Sequence, residues 1–297
     1  AMKPLAGKSN PDLPPTILGE PTRHWWTYRS DGLVMAIVDQ LSERYPIDRN
    51  RIVLSGMSMG GWGTWNLGMR FPDRFSAIIP FAGGLSMRDY GTESLDDEYS
   101  HLIDNLKWLP SYSVHGDQDN IVPTRFSQLL AKELKERKYD HFYDEITGAS
   151  HYLDFDENGP MMKRVIKWLT PRKRILHPPE VIHAVISEDH PRQHWLRIDA
   201  RSDDSKPAKI HGKLARGNRI DIESENVDAI TVFIDDKLLR ERSSITVTHN
   251  GETVHKGKVK ESIEALIESW RGRRDPDLLH TRMITIDADV EEDKKGE

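Results

Sequence analysis

Near residue 170 the hydrophobic pattern of this chain changes its period, and that change limits what the chain can fold into. Before it, helical and strand patterns alternate. Leu33, Ile37 and Leu41 recur at helical spacing. There follow a strand over 52–54, a helix from Gly60, strands over 76–80 and 112–114, a helix over 125–137, a strand over 141–146 and a helix around Val165 and Trp168. Strands that alternate with helices build a mostly parallel sheet with helices on its faces. After residue 170 the period is two: "HWLRIDARS", "RIDIES", "AITVFIDD" and "SITVTHNGETVHKG" alternate apolar and polar residues. Within the last of these, Asn250-Gly251 stands where a two-residue type I′ hairpin needs positive φ. One helix interrupts this part, over 261–270, with Ile263, Leu266, Ile267 and Trp270 along one face. The expectation is an α/β segment over 25–170, a linker over 171–180 and a small β-rich, sandwich-like domain with one helix over 181–290. Pro171, Pro178 and Pro179 bracket the basic run Arg172-Lys173-Arg174 in the linker. A proline-rich leading segment, 1–24, and a disordered tail, 291–297, complete the reading.

Composition closes off several function classes. With 297 residues, 37% hydrophobic and 30% charged, the chain reads as globular and large enough for two cores. No apolar run approaches the ~18 residues of a membrane-spanning helix. A formal charge of −6, with both signs interspersed, lacks the electrostatic footprint of a nucleic-acid binder. The absence of cysteine excludes disulfides, thiolate metal sites and a cysteine nucleophile together. The first fifteen residues lack the basic-then-apolar order of a signal peptide, which points to the cytoplasm or to a secreted protein whose leader is not part of this chain.

The stretch "RIVLSGMSMGGWGTW", residues 51–65, carries the strongest chemical signal. A strand runs into Gly56-Met57-Ser58-Met59-Gly60 and a helix leaves it, which is the setting of a G-x-S-x-G nucleophile elbow. The turn is sharp, so small residues are expected two positions either side of Ser58, where a β-carbon would strike the neighbouring strand or helix. Such a turn lifts the hydroxyl clear of the sheet and makes the backbone N–H of Met59 a natural oxyanion donor. A serine hydroxyl at neutral pH still needs a base and an acid that orients the base. "SVHGDQDNIVP" (113–123) ends one later strand and offers Asp119, with Asp117 as the other carboxylate and His115 beside them. "TGASHYLDF" (147–155) follows the next strand and offers His151. Ser58, Asp119 and His151 each lie just past a strand, and in a parallel sheet those ends share one edge.

These motifs, with the intervening text through "FSAIIPFAGG", resemble the α/β-hydrolase family over residues 25–170. The likeness is strongest to bacterial esterases akin to polyhydroxybutyrate depolymerases and feruloyl esterases, with prolyl oligopeptidase-like enzymes as cousins. The resemblance implies Ser58 as nucleophile, Asp119 as acid, since the family's acid commonly follows a His-Gly by two intervening residues, and His151 as general base. Ester hydrolysis without a cofactor or metal is the implied chemistry, a peptidase or amidase of the same fold being the alternative. From a different class, a catalytically silent binding module is also compatible with the motifs.

The remaining residues weigh less. Trp25, Trp26 and Trp62 are candidates for an acyl or aromatic pocket, while Trp65 lies deeper in its helix and reads as core. Asp117 reads as a turn residue that caps local amides, and His115 as a structural hydrogen-bonding residue. Asp89, Asp96, Asp97 and Glu98 read as a solvated loop, and no histidine–carboxylate spacing supports a metal. Trp195 is a candidate carbohydrate platform but alternates like a core residue. The resemblance also implies strands ahead of Trp25 and a loop with a second oxyanion amide. Residues 1–24 carry Pro4, Pro11, Pro14, Pro15 and Pro21, which suit no central strand. The sheet is therefore expected to be N-terminally incomplete, with the edge of the nucleophile strand covered by a second copy, the β-rich domain or a partner chain.

Overall fold

A computed structural model describes residues 28–86, 94–95, 97–187, 190–239 and 244–287. The described residues up to 47 form one compact unit and those from 48 another. In the first, helix α1 spans Tyr28–Arg44. The helical spacing of Leu33, Ile37 and Leu41 is met, but these three side chains are exposed, and the buried positions are Asp31, Met35 and Asp39. The i, i+4 pattern locates the helix without telling which face is buried, because a stripe of either polarity has the same period.

The second unit opens with β1 (Val53–Met57), α2 (Met59–Arg70), β2 (Ala77–Phe81) and α3 (Asp97–Ser100). It continues with β3 (Ser111–Gly116), α4 (Arg125–Glu136), β4 (His141–Ile146) and α5 (Pro160–Leu169). The four strands lie in the order β1-β2-β3-β4, all parallel. Alternate side chains of β2 and β3 point to opposite faces. Ile79, Phe81, Tyr112 and Val114 pack with Met161 and Val165 of α5, while α2 and α4 cover the other face. Strands β2 and β3 are buried throughout, whereas β1 is half-buried with Ser55 exposed. Among the described residues β1 pairs with β2 alone, so it forms a sheet edge.

The chain then forms β5 (Glu180–Val185), β6 (Arg192–Gln193), β7 (Leu196–Ala200), β8 (Ala208–Ala215), β9 (Arg219–Glu225) and β10 (Ala229–Ile234). β11 (Ile245–His249), β12 (Glu252–Gly257), α6 (Ile263–Arg273) and β13 (Arg282–Asp287) complete it. Two sheets, β13-β10-β7-β6 and β12-β11-β9-β8-β5, enclose a core that includes Val181, Trp195, Ile210, Ile222, Val232 and Val247. This is the sandwich that the period of two implies. The β11–β12 hairpin turns on Asn250 (φ 49°) and Gly251 (φ 89°), the two positive values a type I′ turn requires.

Helix α6 departs from the sequence reading. Ile263 is 76% exposed, Ile267 43% and Trp270 41%, while Ala265, Ser269 and Arg273 are buried. The polar face turns inward because it has partners there. The Ser269 hydroxyl donates to the Leu278 carbonyl at 3.0 Å and accepts the His280 N–H at 2.9 Å, and Arg273 pairs with Asp73. Polar bonds also join the sandwich to the helical segment ahead of β3 in the parallel-sheet part. Asn105 bridges the Met69 and Ala184 carbonyls at 2.9 Å each, and Trp108 Nε1 donates to the Glu180 carbonyl at 2.7 Å.

Candidate active site

Strand β1 delivers the chain into Ser58 at φ 57°, ψ −118°, a left-handed value for a residue with a side chain. A β-carbon on Gly56 would lie 2.4 Å from the Gly60 carbonyl oxygen, so the first glycine of the motif is sterically required. The last is not: a β-carbon on Gly60 meets nothing within 4 Å. The second sterically required glycine is Gly61, whose β-carbon would stand 2.4 Å from the Phe81 carbonyl oxygen and 3.1 Å from Gly83 Cα. The Ser58 N–H donates to Phe81 O at 2.9 Å, which hangs the turn on the end of β2. Met59 starts α2, so its amide is one of the first-turn N–H groups without an acceptor inside the helix.

The other two candidates arrive from the ends of β3 and β4. A β-carbon on Gly116 would lie 2.2 Å from Ala149 O and 2.5 Å from Ser150 O, so only a glycine lets the two loops touch. The Gln118 N–H then donates to Ala149 O at 2.9 Å, and Asp117 Oδ1 accepts the Gly148 N–H at 2.7 Å. Asp117 is thus the turn-capping residue, and the neighbouring carboxylate faces the histidine. His151 Nδ1 lies 2.7 Å from Asp119 Oδ2, and His151 Nε2 lies 2.9 Å from Ser58 Oγ. A carboxylate only accepts, so the Nδ1 proton is assigned to that bond, and Nε2 keeps a lone pair for the serine hydroxyl. The structure therefore brings Ser58, His151 and Asp119 into one hydrogen-bonded line.

Electrostatics favours that arrangement. Burial pushes the Asp119 carboxyl up, but the hydrogen bonds from His151 and from the Val122 and Ile121 amides outweigh it and hold the group below the usual carboxylate range. His115 is fully buried, and that burial holds its ring below the ordinary histidine range despite the nearby Val122 carbonyl and Asp119. It is the structural hydrogen-bonding residue that the sequence suggests. Its place directly on Asp119, at 3.1 Å, was hidden, because i, i+4 spacing across a strand end carries no periodic signal. Three exposed apolar side chains, Met59, Ile121 and Tyr152, stand within two residues of Ser58, Asp119 and His151 respectively.

Other candidates fall elsewhere. Trp62 is 2% exposed and sets its ring edge-on to Phe126 at 5.7 Å, so it is walled in by packing. Trp65 is fully buried, as expected of core. Trp25, Trp26, Asp89, Asp96 and the side chains of Asp97 and Glu98 lie outside the described residues, as do 1–24 and 291–297. Trp195 is 1% exposed and its Nε1 donates to the Pro178 carbonyl at 3.0 Å, which excludes a surface platform. A cavity of about 430 Å³ lies in the sandwich, lined by Val185, Ser187, Arg197, Asp199 and Arg201 among others, and none of the three aligned residues lines it.

His177, Asp235 and His280 place one ligand atom each within 4.8 Å of one another. The sequence does not reveal this grouping, because its members come from the linker, the end of β10 and the turn before β13. His177 Nε2 bonds Asp235 Oδ2 at 2.8 Å, and an Arg192 guanidinium nitrogen stands 3.1 Å from His280 Nδ1. The like charge of that guanidinium opposes a cation.

The family model described as phospholipase/carboxylesterase matches residues 25–170. No curated protein matches the chain. Among solved structures, a thermostable esterase is 30% identical over 48% of this chain and 36% of its own, with a TM-score of 0.37. Arabidopsis thaliana SOBER1 is 20% identical over 52% of this chain and 68% of its own, with a TM-score of 0.39. An acylaminoacyl peptidase from Pyrococcus horikoshii is 19% identical over 48% and 26%, with a TM-score of 0.39. The chain spans about a third of the thermostable esterase's length.

Proposed function

Because residues 25–170 match the phospholipase/carboxylesterase family model, we propose that this protein hydrolyses carboxylic esters through an acyl-serine at Ser58. The observation that carries the reading is the line Ser58 Oγ–His151 Nε2, 2.9 Å, and His151 Nδ1–Asp119 Oδ2, 2.7 Å. As the Ser58 oxygen attacks the ester carbonyl, its proton passes to His151 Nε2, and Asp119 stabilises the imidazolium that results. The oxyanion of the tetrahedral intermediate takes a hydrogen bond from the Met59 N–H at the start of α2. His151 returns the proton to the leaving alcohol. Water then attacks the acyl-serine with His151 as base again, and the acid departs. The side chains present account for each proton, so the sequence of steps calls on no cofactor.

The test is turnover of a short-chain aryl ester together with fluorophosphonate labelling. One adduct at Ser58, and loss of both signals in Ser58→Ala by about 10⁶ in kcat, is the expected outcome. A matched anilide separates an esterase from an amidase of the same fold. Inert wild-type protein without an adduct overturns the reading in favour of a binding module.

The free edge of β1 belongs to the same reading. A half-buried strand with unpaired N–H and C=O groups is an association surface. No described strand of the sandwich pairs with it. We propose as its cover a second copy or a partner chain, which also furnishes the second oxyanion donor. Dilution is expected to lower mass and activity together, and a monodisperse monomer with full activity and fast hydrogen exchange over β1 rejects the cover.

A further inference from the structure

We propose that His115 is a positioning residue for Asp119: from a closed polar site between β3 and α4 it donates its Nε2–H to the carboxylate oxygen that also receives the His151 Nδ1–H. The inference rests on the triad reading above and adds a fourth member behind the acid.

Three contacts fix the state of the ring. His115 Nε2 lies 3.1 Å from Asp119 Oδ2 and 3.0 Å from the Val122 carbonyl oxygen, and both of these only accept. The proton therefore sits on Nε2, where the two nearly equal distances share it between the Asp119 carboxylate and the Val122 carbonyl. Nδ1 then holds a lone pair, and the Ser127 hydroxyl of α4, 2.7 Å away, supplies the hydrogen. Ser127 Oγ has a second acceptor, Gly83 O at 3.3 Å, but its one hydrogen favours the shorter bond. Complete burial and the pKa held below the ordinary range keep the imidazole neutral.

The consequence is a saturated carboxylate. Oδ1 accepts the Ile121 and Val122 N–H groups at 2.9 and 2.8 Å, and Oδ2 accepts from His151 and His115. Four donors converge on the ionised carboxylate, the His115 Nε2–H being shared with the Val122 carbonyl oxygen. Val122 closes the ring, since its N–H holds Oδ1 while its carbonyl receives the His115 Nε2–H. The carboxylate cannot rotate, and Oδ2 divides its basicity between two N–H donors. Without His115, Oδ2 binds the His151 Nδ1–H more strongly and favours its imidazolium, so the acid limb of kcat/KM moves to higher pH. Among the other charged groups near this line, Asp117 lies in the same loop, Glu145 on β4, and Arg125 at the start of α4, over the Phe126 ring. Asp117 holds the Gly148 amide, and Glu145 pairs with Tyr143 and Gln128.

The experiment compares the full chain with His115→Gln and His115→Leu, reading kcat/KM against pH and the rate of fluorophosphonate labelling. His115→Leu removes the donor and is expected to lower kcat about 10-fold or more and to raise the acid limb by about half to one unit. His115→Gln keeps an N–H near the Nε2 position and is expected to restore most of the limb. A purely structural role lowers the melting temperature without moving the limb. A limb that stays put in His115→Leu, or moves equally in both variants, overturns the proposal while labelled wild-type protein leaves the triad standing. Inert, unlabelled wild-type protein overturns the triad and this inference with it. Should the leucine variant not fold, ¹⁵N spectra of wild-type imidazoles decide. A neutral His115 protonated on Nε2 at neutral pH is expected, and an Nδ1–H tautomer or an imidazolium there overturns the proposal.

Discussion

In the hydrolase sheet, buried polar side chains form an open line: Ser127, His115, Asp119 and His151 lead outward to the half-buried Ser58. Where the sandwich meets that sheet, they form closed loops instead. Asp73 Oδ2 receives the His194 N–H at 2.8 Å and Arg273 Nε at 2.9 Å. Arg174 ties the Asp73 carbonyl, at 3.1 Å, to Asp275, at 2.5 Å, and Arg273 reaches the Arg192 carbonyl. Both networks are buried and charged, yet only the first ends on a half-buried serine at a strand-to-helix turn. A buried ion network is therefore weak evidence of chemistry by itself, and the informative feature is where its last member points.

The sharpest way to break the comparison is to change one carboxylate in each network without changing its shape. Asp119→Asn leaves the line in place but offers an amide to His151 Nδ1, which favours the wrong tautomer. We expect kcat to fall on the order of 10⁴, about 5.4 kcal/mol, with the melting temperature nearly unchanged. Asp117→Asn keeps an Oδ1 acceptor for the Gly148 amide and is expected to stay within about threefold of wild type. Reversal of these two effects in the ester assay assigns the acid to Asp117 instead.

Asp73→Asn is the counterpart in the closed network. It leaves the buried Arg273 guanidinium without its carboxylate and is expected to cost roughly 3–5 kcal/mol of stability. The folded fraction should keep its turnover per molecule, because no atom of the Ser58 line touches Asp73. Denaturant unfolding and active-site titration measure the two separately. A large fall in kcat per labelled serine, with stability intact, removes the distinction between the networks.

How much of this was legible follows the range of each interaction. The elbow, the hairpin at Asn250-Gly251 and the strand–helix alternation are local, so "GMSMG" and "HNGET" carry their own geometry. The order serine, acid, histidine was legible because a parallel sheet puts successive strand ends on one edge. The covered faces of α1 and α6 were not: Ser269 and Arg273 turn inward for partners that the helix pattern does not contain. Asp73 looked like one more charged turn residue, since its partners are His194 and Arg273, far along the chain. Gly61 was missed for the same reason, as its obstacle is the backbone of Phe81 and Gly83.

Acid is a milder probe that reaches the joint first. Burial is the largest cause that holds His183 and His194, both fully buried on the sandwich side, down to about 4. Above pH ~6.5 these rings are neutral in both states and contribute no pH dependence. Between ~6.5 and about 4 the unfolded chain binds protons that the folded chain refuses, so stability falls as pH falls. The size is about 3 kcal/mol per ring at the low end. Thermal unfolding from pH 7 to 4.5 should show a steady decline of the midpoint. A flat profile means that the rings titrate alike in the native joint and in the unfolded chain.

The smallest effect tests the elbow against its own motif. Gly61→Ala drives a β-carbon to 2.4 Å from Phe81 O, a backbone atom that cannot yield without moving β2 away from the Ser58 N–H. Loss of roughly 1–3 kcal/mol and a matching loss of activity are expected. Gly60, which the G-x-S-x-G pattern marks as essential, has open space at its β-position and negative-φ helical backbone. Alanine there reduces the entropy of the unfolded chain and suits the first turn of α2, so Gly60→Ala is expected to stabilise by about 0.5 kcal/mol. Turnover should remain close to wild type, because the Met59 amide and the Ser58 turn are held from β1 and β2. Activity lost in Gly60→Ala with the fold intact would mean that the substrate occupies the space beside that glycine, and the open β-position would then be part of the binding site.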